Sequence, residues 1–246
     1  MTTKEARRRL GGTVQAARAV LRRQACHGRL VQPFKGFWVV VPPEYRALGC
    51  LPPEQFIPQL FEHLGAPYYV GLLSAAQRLG AAHQQPQAFQ VVIERVRPAI
   101  ECGQVRVEFI ARKAIRDIPV DVVNTPRGSM RVSTAEATAF DVVGYPEHVG
   151  GLDGAATVVA ELLEQLDGER LLQCAATAPL PWVQRLGFIL DLVGGAEVAN
   201  FLAEFVIANV RDATRLSPGS RRKGKRYDRW KLDVNTKIEP DVEAVS

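Results

Sequence analysis

The chain has 246 residues, 47% of them hydrophobic and 23% charged, with a formal net charge of +5. That length holds one large domain or a small one joined to a medium one, and the apolar fraction suits a globular protein with a sizeable core. No run approaches the roughly eighteen apolar residues of a membrane span and no apolar signal stretch follows the N-terminus, so a soluble cytoplasmic protein without membrane contact is expected.

Charge falls in blocks. Residues 1–48 carry ten Lys/Arg against two Asp/Glu, 49–220 carry thirteen against nineteen, 221–231 seven against one, and 232–246 one against four. Such blocks suggest a basic arm, an acidic body and a second basic feature. Four cysteines (Cys26, Cys50, Cys102, Cys174) and four histidines (His27, His63, His83, His148) form no C-x-x-C, H-x-x-H or H-E-x-x-H pattern. Reduced cytosolic thiols are expected, with no zinc site and no cofactor.

The first 41 residues hold nine Lys/Arg against one acid, Glu5. Thr2 or Thr3 can cap a helix over Lys4 to Leu10. Gly11-Gly12 stops it, and Thr13 caps a second helix to about Cys26, which Gly28 ends. Val14, Ala17, Leu21 and Ala25 recur at three- and four-residue spacing as one buried face. Gln15, Arg18 and Arg22 recur at the same spacing on another face, and Gln and Arg pair bidentately with adenine and guanine edges. Leu30-Val31, a Pro33-Phe34-Lys35-Gly36 turn and Phe37 to Val41 make a hairpin with Lys35 near a phosphate backbone. Helix, turn, helix and hairpin under this charge predict a winged helix-turn-helix on duplex DNA. A solvated basic helix pair packed on its neighbour is the alternative. The candidate contacts are Thr13, Gln15, Arg18 and Arg22, Lys35 on the wing, and Arg7 and Arg8 as phosphate contacts; Arg9 belongs with the latter. A winged helix usually has a further helix before the first one here, so either the module is minimal or that packing surface comes from elsewhere in the protein or from a second subunit.

Beyond residue 48, Pro53 opens a helix through about Leu64. Pro67 starts another, with Tyr68, Leu72, Ala75, Ala76 and Leu79 as its apolar stripe and Gly80 and the 83–87 polar run ending it. Phe89–Glu94, Val105–Ile110, Val120–Asn124 and Met130–Val132 read as strands separated by Pro and Gly. Ser133-Thr134-Ala135-Glu136 matches a capping box for a helix to about Tyr145. From Gly151 to about Val210 the pattern is helical, broken at Gly168, Pro179–Pro181 and Gly194-Gly195, which argues a small antiparallel bundle. A basic loop, Arg221 to Arg226, precedes a closing strand over Trp230 to Val234. It could add phosphate contacts, touch an acidic partner or its RNA, or be plain surface.

Catalytic signals are sparse. His83 beside Gln84 and Gln85 could orient a substrate, or simply be packed at a helix end. Ser74, Ser133 and Thr134 lack His/Asp neighbours in sequence. Asp121 and Asp141, with Glu108, could hold a metal for phosphoryl chemistry; alternatively Asp141 pairs on its helix and Arg112, Lys113 or Arg116 neutralises the others. No phosphate-binding P-loop or kinase signature is present. Arg185, in an apolar helical stretch, is expected to be buried with a carboxylate partner as a structural anchor.

The chain resembles AbiEi-type antitoxins of type IV toxin–antitoxin systems. The likeness rests on Gly36–Tyr45 (GFWVVVPPEY), Tyr68–Ala76 (YYVGLLSAA), Gly80–Gln84 (GAAHQ), Val132–Asp141 (VSTAEATAFD), Gln184–Phe188 (QRLGF), Trp230 and Val234-Asn235. It departs in the short N-terminus and in Ala135, where family members commonly carry Pro. The resemblance implies an N-terminal winged helix-turn-helix repressing its operon, a C-terminal antitoxin domain, and a nucleotidyltransferase-like toxin as partner, in phage defence. The expected fold class is α+β: a winged helix-turn-helix over 1–48, then a larger mixed α/β domain over 49–246, with its sheet at about 89–132, helices at about 134–210 and the basic loop at 221–226. The expected function is a DNA-binding autorepressor and antitoxin, with double-stranded promoter DNA, as inverted repeats, among its partners. The alternative is an enzyme whose C-terminal domain transfers phosphoryl groups to the toxin or cleaves nucleic acid with a metal.

Overall fold

A computed structural model describes residues 1–81, 86–220 and 223–241. The protein is a mixed helix-and-strand fold built from two compact units. One comprises Met1–Val70, Pro86–Arg116 and Val122–Val132; the other comprises Gly71–Gln85, Asp117–Asp121 and Ser133–Ser246.

The first unit opens with α1 (Thr3–Leu10) and α2 (Val14–Cys26), then the antiparallel hairpin β1 (Leu30–Phe34) and β2 (Phe37–Val40). Thr2 caps α1 as the sequence predicts. Its hydroxyl accepts from Glu5 N–H at 3.1 Å while the Glu5 carboxylate accepts from Thr2 N–H at 2.7 Å, a reciprocal capping box. Thr13 caps α2 through Ala16 N–H at 3.2 Å. The corner between the helices runs through Gly11 and Gly12 at φ +72° and +77°, a conformation L side chains resist. Ala6, Leu21, Leu30 and Trp38 form the small core there, with Met1 and Ala25 packed against it. Burying Leu21 contributes roughly 1.5–3 kcal/mol. The hairpin is tied back to α1, since the Trp38 indole N–H donates to Thr3 Oγ1 at 3.1 Å. One residue of the expected buried face departs: Val14 is 37% exposed, because it starts α2 at the glycine corner, where Leu10 is 55% exposed as well.

The segment from Pro53 is not one helix. A 3-10 turn over Pro53–Gln55 is followed by α3 (Ile57–Leu64), with Phe56 at φ −131° between them. Pro58 has no N–H to give the turn before it, so the helix restarts. Tyr68–Val70 is a strand, β3, rather than the start of the next helix. It pairs antiparallel with β4 (Phe89–Ile93) and parallel with β8 (Gly128–Ser133), and this central position overrides the helical spacing. With β5 (Ile100–Cys102), β6 (Val105–Ala111) and β7 (Val120–Thr125) the sheet order is β5-β6-β4-β3-β8-β7. The four strands read from sequence are thus joined by two short ones. Phe61 of α3 stacks on Tyr68 with ring centroids 4.6 Å apart and meets Phe109 edge-on at 6.0 Å.

In the second unit α4 (Leu72–Arg78) leads to α5 (Ala135–Gly144), which is the hub: Ala135 through Val143 are all buried, and α4, α6, α7 and α8 pack around it. The capping box expected at Ser133 shifts by one residue. Thr134 is the cap, accepting from Ala137 N–H at 3.3 Å, while Ser133 bonds the Thr138 hydroxyl at 2.7 Å and Glu136 accepts from Asp167 N–H at 3.2 Å. Glu136 is buried and is recruited to the start of another helix, α7. Around α5 lie α6 (Gly151–Leu162), α7 (Gly168–Thr177), α8 (Leu180–Leu192) and α9 (Ala196–Asn209). A small sheet of β9 (Thr214–Arg215), β10 (Lys225–Tyr227) and β11 (Leu232–Val234) completes the unit, so the closing strand begins after a 3-10 turn that contains Trp230. No described helix is long and apolar enough to cross a membrane.

Candidate nucleic-acid interface

On α2, Ala17 and Leu21 are 1% and 2% exposed and anchor the helix. At 100° per residue Gln15, Arg18 and Arg22 fall within about 60° of one another on a face beside the buried one, and all three are exposed. Arg18 and Arg22 pair with no carboxylate among the described residues, so both guanidinium forks face solvent uncommitted. Thr13 is spent partly on its capping bond. Arg7, Arg8 and Arg9 are exposed along the last turn of α1, and their charge complements the C-terminal end of that helix dipole. Lys35 is exposed at the two-residue turn of the hairpin, beside Gly36 at φ +81°. The Arg97 guanidinium lies over the neighbouring Phe34 ring, 5.8 Å from its centroid. The first unit therefore gathers the sequence-derived contacts on α1, α2 and the hairpin.

It also gathers arginines that sequence reasoning passed over. A groove of about 930 Å³ is lined by Arg116, Arg127 and Arg131 together with Gln59, Tyr68 and Ser129. A smaller hollow of about 400 Å³ is shared by Arg9 and Arg127, and another of about 280 Å³ by Arg95, Arg97 and Arg116. Arg127 is oriented: its Nε donates to Gln55 Oε1 at 3.2 Å, Gln55 donates to the Tyr45 hydroxyl at 2.9 Å, and Gln59 donates to the Arg127 carbonyl. Burial pushes the Tyr68 hydroxyl pKa up, so it remains a neutral hydrogen-bonding group on the groove wall. The available signal was Thr125-Pro126-Arg127-Gly128, a turn sequence between two strands that carries a cation at its tip. Counted over the whole first unit, eighteen Lys/Arg face seven Asp/Glu, a net charge of +11, whereas the second unit carries thirteen against nineteen, a net of −6.

The candidate catalytic groups are placed otherwise. Asp121 is exposed on β7, Asp141 is fully buried on α5, and Glu108 sits on β6. Among the described residues no group of three His, Cys, Asp or Glu could hold a metal ion. Ser74 and Ser133 are buried. Buried Arg112 gives its guanidinium to the Tyr69 hydroxyl at 3.2 Å, and Arg116 reaches Glu94 at 3.9 Å. His83, Gln84 and Gln85 lie outside the described residues, as do Arg221 and Arg222 of the basic loop. Arg226 from that loop is in β10 and pairs with Asp228 at 3.2 Å and Asp233 at 3.9 Å. Arg185 is buried as expected, but among the described residues its Nε has no hydrogen-bond partner, and desolvation lowers its pKa. No ion pair between Arg185 and a carboxylate forms among the described residues, so the expected anchor is not made there.

Residues 69–192, half of the chain, match the AbiEi antitoxin C-terminal domain family. The protein is thus the antitoxin component of a toxin–antitoxin, abortive-infection type of system. It belongs to the AbiEi antitoxin family. The fold is similar to that in the crystal structure of the RV2827C protein from Mycobacterium tuberculosis, with a TM-score of 0.65 and 20% sequence identity over 94% of this chain and 85% of that one. No curated protein matches the sequence significantly.

Proposed function

We propose that this antitoxin binds duplex DNA through a winged helix-turn-helix made by α1, α2 and the β1–β2 hairpin, and represses its own operon. The functional division then falls at residues 1–48 for DNA reading and 49–246 for antitoxin action. The observation that carries this reading is the solvent face of α2, where Gln15, Arg18 and Arg22 are exposed together while Ala17 and Leu21 are buried, in a unit of net charge +11. Gln15, Arg18 and Arg22 read bases from the major groove, with Thr13 at the helix entrance. Arg7, Arg8 and Lys35 hold phosphates and set register. A single module of this size buries too little surface for tight specific binding, so a pair of modules on inverted repeats is the working arrangement.

Mobility-shift titration of the upstream promoter tests the assignment. Arg18→Ala with Arg22→Ala is expected to lower specific affinity by at least tenfold, since each bidentate base contact contributes about 1–3 kcal/mol of discrimination. Undiminished, sequence-selective binding by the double variant would refute it.

The family likeness also supports counteraction of a nucleotidyltransferase-like toxin. Co-expression with the nucleotidyltransferase-like product of an adjacent gene should restore growth that the toxin alone arrests. The Arg18→Ala, Arg22→Ala variant should still restore it, because neutralisation is assigned to residues 49–246.

A further inference from the structure

The four cysteines are scattered in sequence, but two of them meet in the first unit. Cys50 is 0% exposed and follows the segment that leaves β2; Cys102 ends β5 and is half-buried. The two chain segments that carry them are clasped. Gln104 N–H donates to the Leu48 carbonyl at 2.8 Å, and the Gln104 side-chain amide donates to the Ala47 carbonyl at 3.2 Å. Gly103, at φ +61°, lies so close to the other strand of the clasp that a Cβ there would sit 2.3 Å from Leu48 O and 2.7 Å from Gly49 Cα. Only glycine permits that approach, and it brings the adjoining Cys50 and Cys102 side chains together. The two thiols are near enough for each to perturb the other's ionisation.

The two thiols are not equivalent. Each thiol's interaction with the other is the main influence, raising the pKa of Cys50, which burial raises further, and lowering that of Cys102. Solvent reaches Cys102, the thiol whose pKa is lowered, while Cys50 is fully buried on the facing segment. This is the division of labour between an attacking and a resolving cysteine. The remaining thiols are placed differently: Cys26 is exposed at the end of α2 and Cys174 is buried in α7.

We propose that Cys50 and Cys102 form a redox-modification site that closes to an intramolecular disulfide on reaction with a peroxide. The Cys102 thiolate attacks one peroxide oxygen, the O–O bond breaks, and the leaving hydroxide takes a proton to become water. Cys102 is then a sulfenic acid. Cys50 attacks its sulfur, the S–O bond breaks as the S–S bond forms, and the Cys50 proton leaves with the hydroxide as a second water. The two thiols lose two electrons and the peroxide is reduced to two waters. The flanking backbones already touch, so closure asks for side-chain movement to a bond of about 2.05 Å rather than chain rearrangement. The product fastens the segment leaving the α1–α2–hairpin region to the β5–β6 turn, in the same unit that carries the +11 charge.

The test uses the full chain, reduced and then titrated with hydrogen peroxide, blocked with an alkylating agent and analysed by intact mass and peptide mapping. Expected are two fewer alkyl adducts on the denatured oxidised protein than on the reduced one, a peptide pair joining Cys50 to Cys102, reversal by dithiothreitol, and a higher thermal midpoint for the oxidised form. Cys26→Ser should leave the link intact; Cys102→Ser and Cys50→Ser should each abolish it. Should the Cys50→Ser core substitution prevent folding, Cys102→Ser at the half-buried position supplies the same control. The proposal is overturned if both thiols remain alkylatable after peroxide, if Cys102 accumulates oxygen without a link to Cys50, or if the link runs through Cys26.

Discussion

Trp230 is 0% exposed, and its surroundings show what the residues behind the sequence likeness do in this fold. Its indole N–H donates to Asp191 Oδ2 at 2.6 Å, and the Gln184 amide donates to the carbonyls of Trp230 and Lys231 at 3.0 and 2.8 Å. Gly187 lets the ring lie against α8, since a Cβ there would stand 2.2 Å from the indole. Asn235 exchanges hydrogen bonds with the Ser217 backbone at 2.9 and 2.8 Å. Gln184, Gly187, Trp230 and Asn235 are therefore architectural. Gly187→Ala is expected to destabilise the fold by about 1–3 kcal/mol through overpacking, read as a lower urea midpoint with an unchanged slope. Loss of DNA binding by that variant under conditions where it stays folded would contradict the purely structural role. The same residues were legible in sequence as a motif, but their chemistry was not, because Gln184 and Trp230 meet only across 46 residues of chain.

At the scale of elements, local signals read true where a helix end settles its own hydrogen bonds. Thr2 with Glu5 and Thr13 with Ala16 N–H start α1 and α2 where the sequence places them. Thr2→Ala should cost about 1 kcal/mol in unfolding experiments, the usual worth of such a cap. Glu5 adds a pH dependence. Its carboxylate pKa is lowered, first by the bond from Thr2 N–H, so the folded value lies below the unfolded one. The stability this bond confers is complete above the unfolded value, about 4.3, and is lost as pH falls through the folded value. Glu5→Gln should accordingly flatten the acid limb of the stability–pH curve, measured by thermal midpoints from neutral pH downward. Signals failed where a neighbour outbid the local pattern. Tyr68 shares helical spacing with Leu72, Ala75 and Leu79, yet β4 and β8 offer Tyr68–Val70 two sets of strand bonds. Glu136 was positioned to cap its own helix and instead receives Asp167 N–H.

The whole molecule separates charge that the sequence leaves mixed. Residues 49–220 hold more acid than base, which hid eight Lys/Arg of segments 86–116 and 122–132 that fold into the same unit as α1 and α2. If this unit is the DNA-binding body, Arg116, Arg127 and Arg131 add phosphate contacts away from the bases. Replacing all three by Ala should weaken binding to specific and unrelated duplexes alike and reduce the salt slope of log K by about 0.9 for each phosphate no longer neutralised. A salt series on both duplexes checks this; a selective loss on the operator alone would assign those arginines a reading role instead.

By itself the sequence determined the helix–glycine corner–helix–hairpin order of the head, the charge of that head, four of the six strands of the main sheet, and the family. Each of those is written in neighbouring residues, through caps, periodicity and turn chemistry that act over a few positions. Only the tertiary structure decided that β3 is a central strand, that six arginines from Arg9 to Arg131 line adjoining hollows, that Arg185 is buried without its expected carboxylate among the described residues, and that Cys50 meets Cys102. Those outcomes depend on which distant segments share a surface. That is settled by packing and strand pairing across the chain, for which local spacing carries no record.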